Sequence, residues 1–270
     1  MKLRVVELLL VTTLPALFLA ANGIPPLDIT IATLIGGTLA AGAANAFNMV
    51  IETDIDQLMN RTSKRPIVNN DITENQALGF ATIITIISLA IFWFFTNPLA
   101  TALTVSAIAF YVFGYTVGLK RRTPQNIVWG GIAGCLPVLI GWAAVTNSLS
   151  WTAFWLFMVI FFWTPPHFWA LAIKYKDDYA AAGIPMLPVV APMKKVAQQI
   201  WFHTFAMIVM AFLTISSTEL GNWTYAITAL ISAVFAYQVR DPEINANQIF
   251  HGSISYLSVF SIVLVAGVFI

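Results

Sequence analysis

Charge is what this chain has least of. Only 9% of its 270 residues are Asp, Glu, Lys or Arg, while 59% are hydrophobic and the mean hydropathy is +0.82; soluble globular domains carry roughly 25% charge. That balance excludes a water-soluble globule. Cysteine is nearly missing as well: Cys135 alone excludes an internal disulfide and a thiolate metal cluster. No Walker A loop, dinucleotide fingerprint or zinc motif occurs in a supporting context, and a formal net charge of +1 gives no ground for a nucleic-acid partner.

What the chain does have is long apolar runs. Blocks lie at about 4–21, 27–51, 73–96, 98–118, 125–146, 150–173, 195–217, 222–239 and 248–270. Each is close to the roughly 20 residues a helix needs to cross about 30 Å of hydrocarbon. Helices, unlike open strands, satisfy every backbone donor inside a bilayer. The pattern predicts an all-α integral membrane protein with nine transmembrane helices. The first block is too long for a removable signal peptide and no small-residue cleavage site follows it, so it counts as a helix.

The few charges are sorted. Lys2 and Arg4 precede block one; Arg61, Lys64 and Arg65 follow block two; Lys120, Arg121 and Arg122 follow block four; Lys174, Lys176, Lys194 and Lys195 follow block six; Arg240 follows block eight. Every Lys and Arg thus falls on one side, and the opposite connections carry none, which by the positive-inside bias makes that side cytoplasmic. A wrong helix count would scatter the cations over both faces. The two long connections, about 52–72 and 174–194, are on the same side, so the working surface is expected to be a central cavity open toward the cytoplasm.

At the end of block two stands Asn48-Met-Val-Ile-Glu52-Thr-Asp54-Ile-Asp56. Asn48, Glu52 and Asp56 are four residues apart and share one helix face with about 40° of drift per step. This oxygen-rich ridge suits Mg²⁺, particularly where phosphate oxygens complete its octahedron. Arg61, Lys64 and Arg65 follow within a few residues, and guanidinium forks fit phosphate oxygens. An acidic ridge beside a basic cluster reads as metal plus diphosphate. Taken singly, each feature also reads as a polar helix end or a topology-setting anchor.

Block six ends in Lys174-Tyr-Lys176-Asp177-Asp178-Tyr179, which repeats the theme four helices later and suggests four-helix halves at 1–118 and 119–240 with a final helix at 248–270, all within one domain, 1–270. The segment 180–192 is apolar but broken by Gly183, Pro185, Pro188 and Pro192, so it is expected to lie along the membrane surface rather than cross. The triplet Lys120-Arg121-Arg122 either joins the phosphate field or anchors block four. His167, in Trp163-Thr-Pro165-Pro166-His167-Phe168-Trp169, sits at membrane depth on a helix that its prolines should bend. It is either a proton donor or haem-iron ligand, or a histidine hydrogen-bonded inside the bundle.

These motifs resemble the intramembrane aromatic prenyltransferase superfamily, which has nine helices and acidic motifs near the cytoplasmic ends of helices two and six. More narrowly, the run from Asn48 to Pro66, KRRTPQN at 120–126, TPPHFWALA at 164–172 and DDYAAAGIPMLPVV at 177–190 resemble the protoheme IX farnesyltransferase family, the haem O synthases. Two departures from the superfamily pattern stand out. Glu52 replaces its usual middle Asp, and Ala182 stands four residues after Asp178 where a second Asp is common, leaving fewer protein oxygens for a second metal.

The resemblance implies transfer of a farnesyl group from farnesyl diphosphate to the 2-vinyl group of protohaem IX, in the cell membrane. It implies catalytic roles for Asn48, Glu52, Asp56, Asp178, Arg61 and Arg65, and Mg²⁺ on Asn48, Glu52, Asp56, Asp177 and Asp178. Substrate contacts would come from Lys64, Lys120, Arg121, Arg122, Lys174, Tyr179 and His167, with haem as substrate rather than cofactor. A haem A synthase or terminal oxidase assembly factor is the implied partner beside the lipid bilayer. The competing readings are transfer to a quinone precursor or other aromatic acceptor, a secondary transporter, and a noncatalytic haem-binding assembly factor. Transporters usually place ionisable groups near the bilayer midplane, whereas these gather at one face.

Overall fold

The computed structural model describes residues 3–60 and 62–270, with the side chains of the first helix from residue 11 onward. Lys2, Arg61 and the side chain of Arg4 lie outside the described residues. Among the described residues all regular structure is helical. The long helices are α1 (Leu3–Ala21), α2 (Leu27–Ile51), α4 (Glu74–Phe95), α5 (Pro98–Ala109), α6 (Asn126–Thr146), α7 (Trp151–Lys174), α10 (Met193–Ser216), α11 (Trp223–Gln238) and α12 (Pro242–Gly267). Short helices α3 (Thr53–Asp56), α8 (Lys176–Ala181) and α9 (Leu187–Val190) occupy the two long connections.

Each apolar block has become a helix. Among the described residues seven are long and apolar enough to cross a bilayer, namely α2, α4, α5 with its continuation to Leu119, α6, α7, α10 and α12. α11, at 16 residues, and the described apolar part of α1, Val11–Ala21, are shorter. The ninth block begins earlier than its hydropathy suggests. Asp241 accepts a hydrogen bond from the Ile244 amide and Pro242 takes the first helical position, so a polar turn of Glu243 to Gln248 is helical although it is not apolar. Elsewhere the caps are where side-chain chemistry puts them: Thr73 and Gln76 form a capping box, Ser150 caps α7, and Asn97 caps α5 while donating to the carbonyls of Ala143 and Ala144.

The surface is apolar and the interior carries hydroxyls, as lipid solvation demands. Phe94, Phe113 and Ile262 are 76%, 70% and 65% exposed. Thr104 and Ser88 are buried, and each donates to a helix carbonyl, Ala100 and Gly36 respectively. Without a hydrophobic drive between helices, close packing holds them. Gly36 on α2 lets Phe92 of α4 approach so nearly that a Cβ there would stand 2.8 Å from the ring. Across the bundle Trp163, Trp169, Val159 and Ile160 of α7 pack with Ile200 and Met207 of α10 and with Tyr256, Leu257 and Phe260 of α12. α7 remains one uninterrupted helix through Pro165 and Pro166.

Two features position the functional end. The helix begun by α5 continues from Phe110 to Leu119 in π-helical register, in which a residue bonds back five positions: the Thr116 hydroxyl donates to Tyr111 O and the Lys120 amide to Tyr115 O, both at 2.9 Å. Secondly, the two long connections are glued together. Ile55 and Met59 of the first pack with Tyr179, Ile184 and Met186 of the second over Ile127 and Ala172. Segment 180–192, expected along the membrane surface, does not cross, but Ile184 and Met186 are buried in this cap and Leu187 in the bundle core. Gly183, at φ +64°, supplies the left-handed turn between α8 and α9.

Candidate active site

The acidic ridge assembles around the end of α2. Asn48, on its last turn, is 2% exposed and donates through Nδ2 to the Thr116 hydroxyl of the π-helical tract at 3.2 Å. Glu52 is the C-cap rather than a further helical turn, with φ −107° and ψ 17°, and α3 restarts beyond it. The ridge is therefore broken at its middle member, yet Glu52 and Asp56 are both buried, at 1% and 2% exposure.

Buried carboxylates need partners, and each has one. Glu52 Oε2 takes the Lys120 ammonium at 2.5 Å. Asp56 Oδ2 takes the Arg65 guanidinium, and the Asp56 carbonyl accepts from the Thr62 hydroxyl at 3.1 Å. The π register is what aligns these rungs: Thr116 meets Asn48 and Lys120 meets Glu52, four residues further along each helix. Burial pushes the Lys120 ammonium below its ordinary value, and the Glu52 carboxylate beside it pulls the other way. Glu52 Oε1 is buried and finds no hydrogen-bond partner among the described residues.

The neighbouring charges sort differently. Arg121 makes a two-pronged contact with Asp54, both bonds 2.8 Å, on the exposed side of the same turn. The hydrogen bond from Arg121 holds the Asp54 carboxyl below its usual range, and the same bond raises Arg121. Lys64 and Arg122 are exposed. In the second connection Asp178 Oδ1 accepts from Asn60 Nδ2 at 2.9 Å, a bridge between the two loops; Asp177 is exposed and Tyr179 is buried in the shared cap. Lys174 borders a separate hollow between α7 and α12 with Asn247, Phe250 and His251.

His167 is buried between two aromatic planes, Trp163 at 4.4 Å and Phe250 at 4.6 Å between ring centroids, and its Nδ1 lies 2.8 Å from Ser253 Oγ. Ser253 Oγ also donates to the Phe250 carbonyl at 2.7 Å, which commits its only proton. His167 Nδ1 is then the donor of that pair, and Nε2 carries the lone pair.

Beneath the ridge an apolar chamber of about 130 Å³ opens between α1, α2, α5 and α6, bordered by Thr33, Gly37, Ala44, Asn45, Tyr111 and Pro137. Asn45 places its upper end one turn from Asn48. A polar, charged mouth over an apolar chamber suits an amphiphile with an anionic head. The donors Asn48, Glu52 and Asp56 are all oxygen, and the unpartnered Glu52 oxygen suits a hard cation, so the residues fit Mg²⁺; among the described residues no three His, Cys, Asp or Glu are already gathered as a cage.

Of the sequence-predicted residues, Asn48, Glu52, Asp56, Arg65 and Lys120 come together here. Thr116, Asn126 and Asn60 were missed. Asn126, fully buried, donates to the carbonyls of Lys120 and Thr123 and so holds the turn that delivers Lys120; its place in KRRTPQN was the available signal. Thr116 gave none, because a π register leaves no mark in hydropathy.

Both the sequence and the fold have known relatives. The model of a family described as the UbiA prenyltransferase family matches residues 9–251. The protoheme IX farnesyltransferase of Frankia alni is 48% identical over 98% of this chain and 94% of its own length. That of Pseudarthrobacter chlorophenolicus is 47% identical over 100% and 88%. Among solved structures, a digeranylgeranylglyceryl phosphate synthase superposes with a TM-score of 0.80 at 16% identity, covering 99% of this chain and 98% of its own. A UbiA homolog from Archaeoglobus fulgidus bound to GPP and Mg²⁺ gives 0.71 at 14% identity, covering 98% of both chains.

Proposed function

Because the chain belongs to the UbiA prenyltransferase family, it is a multi-pass membrane prenyltransferase, and we propose that it transfers the farnesyl group of farnesyl diphosphate to the 2-vinyl group of protohaem IX, with addition of water and release of diphosphate, to give haem O. The observation that carries this reading is the buried set of Glu52, Asp56, Lys120 and Arg65 over the apolar chamber. Support for haem as the acceptor comes from relatives that carry that activity in their names at 47–48% identity.

The residues divide the work. Lys120 and Arg65 receive the diphosphate, a role assigned also to Arg61 and Lys64 of the same connection; Arg121 and Arg122 frame the approach, while Lys174 borders the separate hollow and Tyr179 holds the cap. Asn48, Glu52 and Asp56, with Asp177 and Asp178 from the second connection, would hold Mg²⁺, which when bound neutralises diphosphate charge and eases departure of the leaving oxygen. As the farnesyl C1–O bond ionises, its electron pair passes to the diphosphate oxygen, where Lys120 and Arg65 stabilise the growing charge. The apolar chamber keeps water from the farnesyl cation. The terminal vinyl carbon then supplies the electron pair of the new C–C bond. The cation left on the carbon next to the porphyrin takes the oxygen of one water, and the proton leaves to solvent. His167, fixed by Ser253 and its aromatic neighbours, positions the haem.

In the same reading α1 and α11 complete nine crossings, the cavity opens toward the cytoplasm of the cell membrane, and the product passes to a haem A synthase or terminal oxidase assembly partner. The test is a mass spectrum of haems extracted after the reconstituted protein is incubated with protohaem, farnesyl diphosphate and Mg²⁺, beside a chelator control. A chelator-sensitive hydroxyethylfarnesyl haem is expected. Prenylated quinone precursors without any haem product would replace haem as the acceptor.

A further inference from the structure

The ridge arrives already neutralised. Glu52 and Asp56 bring two negative charges to a nearly water-free place, and Lys120 and Arg65, with side chains 15% and 11% exposed, bring two positive ones. Lys120 is delivered there by fixed backbone. Its amide closes the π-helical tract on Tyr115 O, and buried Asn126 holds the carbonyls of Lys120 and Thr123. The ammonium therefore rests on one oxygen of Glu52 at 2.5 Å, while the other oxygen lacks a partner among the described residues.

This balance has a consequence for metal binding. A bare divalent cation entering the site would find its best carboxylate held by Lys120 and would leave two uncompensated positive charges where screening is poor. A divalent cation that enters with a diphosphate brings negative charge that matches or exceeds its own. The diphosphate also offers the ammonium of Lys120 an oxygen in exchange for Glu52, which frees the carboxylate for the metal. We propose that Lys120 is a resident counter-ion that keeps metal off Glu52 in the substrate-free protein and transfers to the diphosphate when substrate arrives, so that metal and prenyl diphosphate bind as one unit. The inference rests on the prenyl diphosphate reading of this site but needs no acceptor to test.

The experiment is a titration of the purified, detergent-solubilised full chain with Mn²⁺, an oxygen-seeking stand-in for Mg²⁺, with protein-bound metal counted by electron paramagnetic resonance, with and without inorganic diphosphate. Wild-type protein is expected to bind Mn²⁺ about tenfold or more tightly once diphosphate is present. Lys120→Met is expected to bind Mn²⁺ about tenfold or more tightly than wild type without diphosphate, and to gain less from adding it. Lys120→Arg, which keeps the charge, should restore the wild-type pattern. Equal Mn²⁺ affinity in the wild type with and without diphosphate would overturn the proposal even if Lys120→Met does not fold. So would a folded Lys120→Met protein that binds Mn²⁺ no more tightly than wild type. Mn²⁺ and diphosphate that bind as one unit, in a protein that prenylates no acceptor, would sustain this inference while removing the proposed reaction.

Discussion

Two ion pairs stand within a few residues of each other at the end of α2, and burial predicts that they differ greatly in worth. Asp56 and Arg65 have side chains 3% and 11% exposed; Asp54 and Arg121 are 65% and 40% exposed. Removing one member of a buried pair strands the other charge, which typically costs about 3–5 kcal/mol, whereas replacing both members is often nearly neutral. An exposed pair, screened by water, is worth about 0.2–1 kcal/mol. Asp56→Ala and Arg65→Ala should therefore each destabilise the protein by about 3 kcal/mol or more, and the double variant should be no less stable than either single, giving a coupling of at least about 3 kcal/mol. The cycle on Asp54 and Arg121 should give less than about 1 kcal/mol. Equilibrium unfolding in mixed micelles, followed by tryptophan fluorescence, measures both cycles, and the haem mass spectrum measures transfer in parallel. The double variant is expected to be folded and inactive. Equal coupling in the two cycles would refute the burial argument, and near-normal turnover in the double variant would remove Asp56 and Arg65 from the site.

Further outcomes follow from the same geometry. Gly36→Val, which drives a side chain into Phe92, should lower stability by about 1–3 kcal/mol, seen as earlier thermal unfolding, with Gly36→Ala milder. Asp54 is held below its ordinary pKa of 3.8 by Arg121, so its contribution is complete above that value and is lost as the pH falls below it; the stability difference between wild type and Arg121→Gln should shrink on acidification and also in high salt. His167→Ala, which removes the hydrogen bond to Ser253 and two stacked contacts, should weaken haem binding in an absorbance titration while leaving diphosphate-dependent Mn²⁺ binding intact; unchanged haem affinity would remove His167 from the acceptor site. Chelation of divalent metal should stop transfer, and Mg²⁺ should restore it.

Helix positions were legible because bilayer thickness and hydrophobic length are tied, and the caps at Thr73, Asn97 and Ser150 lie where side-chain oxygen meets free amide. The pairing of acids with cations was legible in kind but not in detail. Arg65 and Lys120 join the buried acids while Arg121, adjacent to Lys120, turns outward to Asp54, and a difference between neighbouring residues of like charge depends on backbone register that composition does not encode. The cap formed by Ile184 and Met186 escaped for a related reason. An apolar segment at a membrane boundary has two ways to leave water, lipid or protein, and only the position of Ile55 and Met59 decides between them.

The π-helical run from Phe110 to Leu119 also sets how this chain can change. Each residue removed from a helix turns everything beyond it by about 100°. A one-residue deletion inside the run would leave the segment just as apolar and just as able to span lipid, and would even allow it the commoner α register, yet it would swing Lys120 away from Glu52 and Thr116 away from Asn48. Substitutions along this stretch act locally, whereas its length is counted. The segment that looks most interchangeable by hydropathy is thus one where the number of residues matters more than their identity.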